Sequence, residues 1–162
     1  MGVTIQVAGL CTVTVDSGED NALETLGLTR NGADITFEGY FLNVPNDDNG
    51  GDDGPASDIQ YLGETARIRL ELTKFDNLIA DKITPRERGA TAGTIPTIGN
   101  LQFQGSKSHR LVIHTTTLPY NFPRVIFRAP VEINKGTKFS TLIIEAEAYK
   151  NGSNVFYSRV VV

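Results

Sequence analysis

The chain has 162 residues, the usual size of a single domain with one core, and its 40% hydrophobic and 21% charged residues exclude wholesale disorder. A single cysteine, Cys11, excludes an internal disulfide and a cysteine-rich zinc site, and with only His109 and His114 beside it an ordinary structural zinc site is not expected either. A net charge of −4 argues against a general DNA-binding module, and there is neither an apolar run of membrane-spanning length nor a signal-peptide pattern, so synthesis in the cytoplasm without membrane association is expected.

In chain order, VTIQVAGLCTVTV (3–15) reads as a strand, with Cys11 as a small buried hydrophobe. SGEDNALETL (17–26) fits a short helix or a polar loop. ITFEGYFLNV (35–44) predicts a strand, with Gly39 marking a bulge. PNDDNGGDDGPASD (45–58) then places Asp47, Asp48, Asp52, Asp53 and Asp58 among glycines and asparagines. The clearest strand is ETARIRLELTKF, where Ala66, Ile68, Leu70 and Leu72 alternate with Arg67, Arg69, Glu71 and Thr73, so one face is buried and the other is wet.

DNLIADKI predicts a short helix with Asp76 as its N-cap, Leu78, Ile79 and Ile83 as its apolar positions and Pro85 as a stop. TPRERGATAGTIPTIGN (84–100), with Arg86 and Arg88, is a long basic counterpart of the acidic stretch. Strands are expected at RLVIHTTT (110–117), at VIFRAPVEI (125–133) with Pro130 as an edge or interruption, at STLIIEAEAY (140–149) and at NVFYSRVVV (154–162). Lys150-Asn151-Gly152-Ser153 joins the last two as an antiparallel hairpin. The sum is a mainly β fold: one antiparallel β-sandwich or barrel domain over 1–162, a short flanking helix, a protruding acidic hairpin loop at 45–63 and a second long loop at 84–100.

Charge is unevenly distributed. Residues 1–85 hold 5 Lys or Arg against 15 Asp or Glu, whereas residues 86–138 hold 8 against 2. If these segments occupy different surfaces, the molecule suits head-to-tail contacts between identical copies; if the fold interleaves them, the charges mix.

Chemical motifs fail on spacing. An EF-hand frame from Asp47 puts Gly51 at the fifth position and Asp52 at the sixth, and a frame from Asp48 puts Gly50 at the third, so neither supplies the ligand set; an irregular calcium site stays an alternative to a solvated loop. His114 alternates with Val112 and reads as a strand residue rather than a general base. GSKSHR (105–110) lacks the spacing of a phosphate loop, and Glu145 and Glu147 alternate with apolar residues as the outward face of a strand. Asn151-Gly152-Ser153 fits a glycosylation sequon, but nothing suggests secretion. No catalytic residue, cofactor or metal is expected, and the chain does not read as an enzyme.

Three phrases in order carry a resemblance. LETLGLTRNGADITF (23–37), GETARIRLELTKFDNLIADKI (63–83) and KGTKFSTLIIEAEAYKNGSNVFY (135–157) resemble segments of the major tail, or tail tube, proteins of long-tailed bacteriophages. Leu28 departs from the aromatic expected after the glycine, and the acidic insert is richer in Asp and Gly than is usual there. The resemblance implies a β-sandwich with a flanking helix, hexameric rings that stack into the tube through which phage DNA is ejected, and a place in the tail of the virion. Its implied partners are further copies of the chain, other virion proteins and passing DNA held without specific binding.

An acidic lining would repel phosphates and let DNA slide. The acidic residues Asp47, Asp48, Asp52, Asp53 and Asp58 then read as an intersubunit arm, with Arg86, Arg88, Arg124 and Arg128 as a candidate basic docking surface on the neighbour. Changing Asp47, Asp48, Asp52 and Asp53 to Asn is expected to spare the fold and impair assembly. A capsid decoration, neck or tail-terminator protein, and a calcium-dependent binding module, remain the alternatives.

Overall fold

Alternation in the chain is converted directly into a barrel wall. The computed structural model describes residues 3–7, 9–16, 22–45, 50–83, 108–135 and 140–159. Its strands are β1 (Val3–Val7), β2 (Thr12–Asp16), β3 (Leu23–Val44), β4 (Asp58–Phe75), β5 (His109–His114), β6 (Tyr120–Lys135) and β7 (Ser140–Ala148), with one helix, α1 (Asn77–Ile83). All pairings are antiparallel. Following the hydrogen bonds from β3 through β2, β5, β6, β7 and β4 returns to β3, so six strands close a barrel and β1 lies outside the ring on β3. Closure removes strand edges from the wall.

The core follows from the period of two. Ala66, Ile68, Leu70 and Leu72 of β4 are fully buried and meet Leu142, Ile144, Ala146 and Ala148 of β7 across the ladder. Phe122 and Phe127 of β6, Leu111 and Ile113 of β5 and Ile35 of β3 complete the interior. Each large side chain removed from water contributes about 1.5–3 kcal/mol, so a one-residue slip of β4 would expose the whole set and fill the core with Arg67, Arg69 and Glu71.

At one end α1 closes the core. The Asp76 carboxylate accepts hydrogen bonds from the N–H groups of Leu78 (2.8 Å) and Ile79 (3.3 Å), as an N-cap should, and the Asp76 N–H donates to the Leu26 carbonyl at 2.9 Å. Ile79, Ala80 and Ile83 are buried, whereas Leu78, one residue out of phase, is 74% exposed.

Several expectations needed correction. The run 3–15 is two strands on the same edge of β3, separated where the chain turns out at Gly9 and Leu10; there Cys11 N–H donates to Thr29 Oγ1 and Thr29 N–H to the Cys11 carbonyl, both at 2.9 Å. Residues 23–26 are extended and begin β3, while 17–21 lie outside the described residues. The bulge expected at Gly39 sits across the ladder: between Tyr40 and Phe41 the partner jumps from Gly63 to Tyr61, leaving Leu62 as the extra residue, and Gly63 adopts φ +133°, which a side chain would strain. Gly39 instead makes room for the Phe41 ring, which a Cβ there would meet at 2.9 Å. Pro130 does interrupt pairing, inside a register slip between Arg128 and Glu132.

The C-terminal hairpin does not form. Both edges of β7 are already taken by β4 and β6, so Val155–Arg159 cannot pair with it. The chain turns instead at 151–154, where the residue with positive φ is Asn154 (59°), and then runs as a strap whose Ser158 bridges Asn121 of β6. Phe156 and Tyr157 pack their rings against Phe37, and Tyr157 also against Phe122, while the Arg159 guanidinium lies 3.7 Å from the centre of the Tyr120 ring.

Candidate functional site: a projecting two-stranded arm

β1 leaves β3 at Phe37 and β7 leaves β4 at Ala66. Beyond those points the two strands pair only with each other, from Glu38↔Thr65 out to Val44↔Asp58, among the described residues. The ladder therefore continues past the barrel as a two-stranded arm. Its tip holds a turn of 3-10 helix, Gly51–Asp53, and Ser57 ties back to the Val44 carbonyl through its N–H (3.0 Å) and its hydroxyl (3.1 Å). β4 begins at Asp58, so the protruding loop expected over 45–63 is shorter than that, and its last residues are strand.

The arm is more apolar than acidic. Tyr40, Phe41, Leu42, Val44, Ile59, Tyr61 and Leu62 are all exposed, Phe41 by 62% and Ile59 by 60%. In register, Phe41 stands beside Tyr61 on one face, with ring centres 5.6 Å apart and Ile59 further out, while Tyr40, Leu42 and Val44 take the other face. Both faces thus carry large apolar groups. The signal is present in the sequence as Tyr40-Phe41-Leu42 and Ile59-Gln60-Tyr61-Leu62, runs that break the polar and apolar alternation of a half-wet strand on either side of the aspartates.

Of the acidic group, Asp52 and Asp53 are exposed on the tip turn and Asp58 opens β4, its carboxylate accepting the Ile59 N–H at 2.7 Å. Asp47 and Asp48 lie outside the described residues, as do Arg86 and Arg88 and the whole segment 84–100. Arg124 and Arg128 lie on β6, on the barrel wall rather than the arm.

Arg128 is engaged within its own chain: its guanidinium pairs with the Glu147 carboxylate and donates to the Tyr149 hydroxyl at 3.4 Å. That hydrogen bond to Tyr149 holds the guanidinium above its ordinary pKa, and partial burial raises the Tyr149 phenol. Two further pairs, Arg30–Glu71 at 3.4 Å and Arg69–Glu145 at 3.9 Å, extend a belt of alternating charge over β3, β4, β7 and β6. Acidic and basic side chains therefore alternate on this face, and the charges of these pairs offset one another.

The remaining chemical candidates are engaged within the fold. Burial raises the Cys11 pKa and keeps the thiol neutral, and its Sγ–H points to the Gly9 carbonyl at 3.8 Å. His114 Nε2 lies 3.0 Å from Thr14 Oγ1, and His109 is buried with Nδ1 2.5 Å from the Asp16 carbonyl. Among the described residues no three His, Cys, Asp or Glu side chains converge as metal ligands, and no helix is long and apolar enough to cross a membrane.

Beside the arm's base a cleft of about 350 Å³ opens between Tyr61–Glu64 on one side and Lys150, Asn154 of the turn and Phe156 of the strap on the other. A second, of about 370 Å³, lies at the opposite end of the ladder between Thr25–Leu28 and Lys74–Asp76.

No protein-family model matches the sequence, and no curated protein matches it. Among solved structures, the chain is similar to a subunit described as "Tail of empty GTA particle computed with helical refinement, C6 symmetry", with 12% identity over 93% of this chain and 95% of that one and a TM-score of 0.49. At that level the similarity is one of general shape and supports no statement about what this chain does.

Proposed function

We propose that the chain is a structural subunit of a phage-like tail, assembling with copies of itself into rings that stack into a tube for DNA. The observation that carries this reading is the arm. An isolated two-stranded ribbon is marginal in water, and this one exposes seven large apolar side chains on both faces. Covering the exposed half of each would contribute about 1 kcal/mol apiece. One docked arm thus comes close to the cost of association, about 4–15 kcal/mol, and a ring doubles the contacts because every subunit both donates an arm and receives one.

The tail role comes from the three matched phrases, which fall on β3, on β4 with α1, and on β7 with the strap. The closed barrel holds its sites rigid, and its belt of paired charges would offer passing DNA no sustained attraction. Other virion proteins would join at the ends of the tube. The acidic tip, with Asp47, Asp48, Asp52, Asp53 and Asp58, would meet basic groups of the next subunit, with Arg86 and Arg88 as candidates and Arg124 and Arg128 available only in competition with contacts inside their own chain.

The test is the double variant Phe41→Ser with Tyr61→Ser, compared with the parent by light scattering and thermal melting. Both side chains are exposed in the monomer, so the melting temperature should stay within a few degrees while oligomers disappear. Assembly of the variant indistinguishable from the parent would overturn the reading.

A further inference from the structure

Among the described residues the closed barrel leaves two backbone edges without a partner strand and without a charge or proline inside them. β1 is held by β3 on one side, and among the described residues its other edge has no partner: β5 pairs with β2 but stops at His114, where the chain turns away. Its sequence, VTIQV, contains no charge and no proline. Natural edge strands are normally blunted by Lys, Pro or a bulge, because an open row of N–H and C=O groups templates pairing with another chain.

The second open edge belongs to the arm. On the side of β3 away from β4, Gly39–Val44 has no partner among the described residues, and GYFLNV itself holds no charge or proline, Glu38 and Pro45 standing at its two ends. The opposite edge of the arm differs. There β4 carries Asp58 and Glu64 and the Leu62 bulge, and the strap lies across the cleft from Tyr61–Glu64. Among the described residues, the β4 side of the arm is therefore the more heavily guarded, by its bulge and the strap.

We propose that the β1 edge of one copy pairs with the Gly39–Val44 edge of another, continuing the sheet from subunit to subunit. The inference rests on the self-assembly reading and names its backbone contact. The two edges match in length, five and six residues or about 17 and 20 Å. They are different surfaces of the same chain, so the contact is heterologous: each copy offers both halves, and repetition closes a ring or extends a filament instead of stopping at a dimer. Backbone hydrogen bonds supply the affinity, and the apolar side chains of the arm supply the fit. The arm projects past the barrel, which lets its edge reach a neighbour without collision between the two walls.

Amide hydrogen exchange on the full chain, dispersed and assembled, tests this. On assembly, amides within 3–7 and within 39–44 should both slow by about tenfold or more. Rings or tubes in which 39–44 slows while 3–7 exchanges as in the monomer would overturn the edge pairing and leave the structural role standing. Slowing of 3–7 alone would overturn it as well, pointing to symmetric β1 contacts. A chain that stays monomeric at every concentration would overturn both the pairing and the proposed function.

Discussion

Glu147 shows how a residue on the outward side of a strand can still be covered. Its neighbours in register put it on the outer face of β7, yet it is 8% exposed because Arg128 and Tyr149 close over it. Removing Arg128 would strand a carboxylate with little access to water. Arg128→Ala should therefore cost about 1–3 kcal/mol, read as a lower urea midpoint, and Glu147→Gln should cost less because the amide needs no counter-charge. Equal stability of Arg128→Ala and the parent would show that the pair is only a surface contact. The same closure explains why Arg128 reads as a docking cation in the sequence: a lone basic residue in an apolar run carries no local sign of its partner, which only the register of β6 on β7 reveals.

Among the elements, α1 is the one whose local chemistry specifies it most fully. Asp76→Ala removes a carboxylate that accepts two helix N–H groups and should lower stability by about 1 kcal/mol in chemical denaturation, with Asp76→Asn retaining most of it. The helix and β4 were legible because their signals are local: a cap, a period of 3.6 and a period of two. The first half of β3 was not, since Leu23–Gly32 lacks clean alternation and is held extended by ladders to β2 and β4. The C-terminal segment misled for the opposite reason. Val155–Arg159 has the composition of a strand, but β7 had no free edge to give it, a fact of topology that no local pattern carries. The arm was half legible: its place was marked by the aspartates at its tip, whereas the apolar ribbon beneath them emerged only once β3 and β4 proved to continue beyond their barrel partners.

At the scale of the molecule, two parts have different tasks. The barrel closes its ladder around a buried core drawn from all six of its strands. The arm has neither, and together with β1 it leaves open surfaces that another copy of the chain can cover. The paired charges on β3, β4, β7 and β6 offset one another, which removes an obstacle to packing like subunits side by side. Negative-stain electron microscopy of the purified protein over a range of concentrations tests this account most directly. Ring-shaped particles with a central opening, stacking into tubes as concentration rises, are the predicted result; dispersed monomers at every concentration would contradict it.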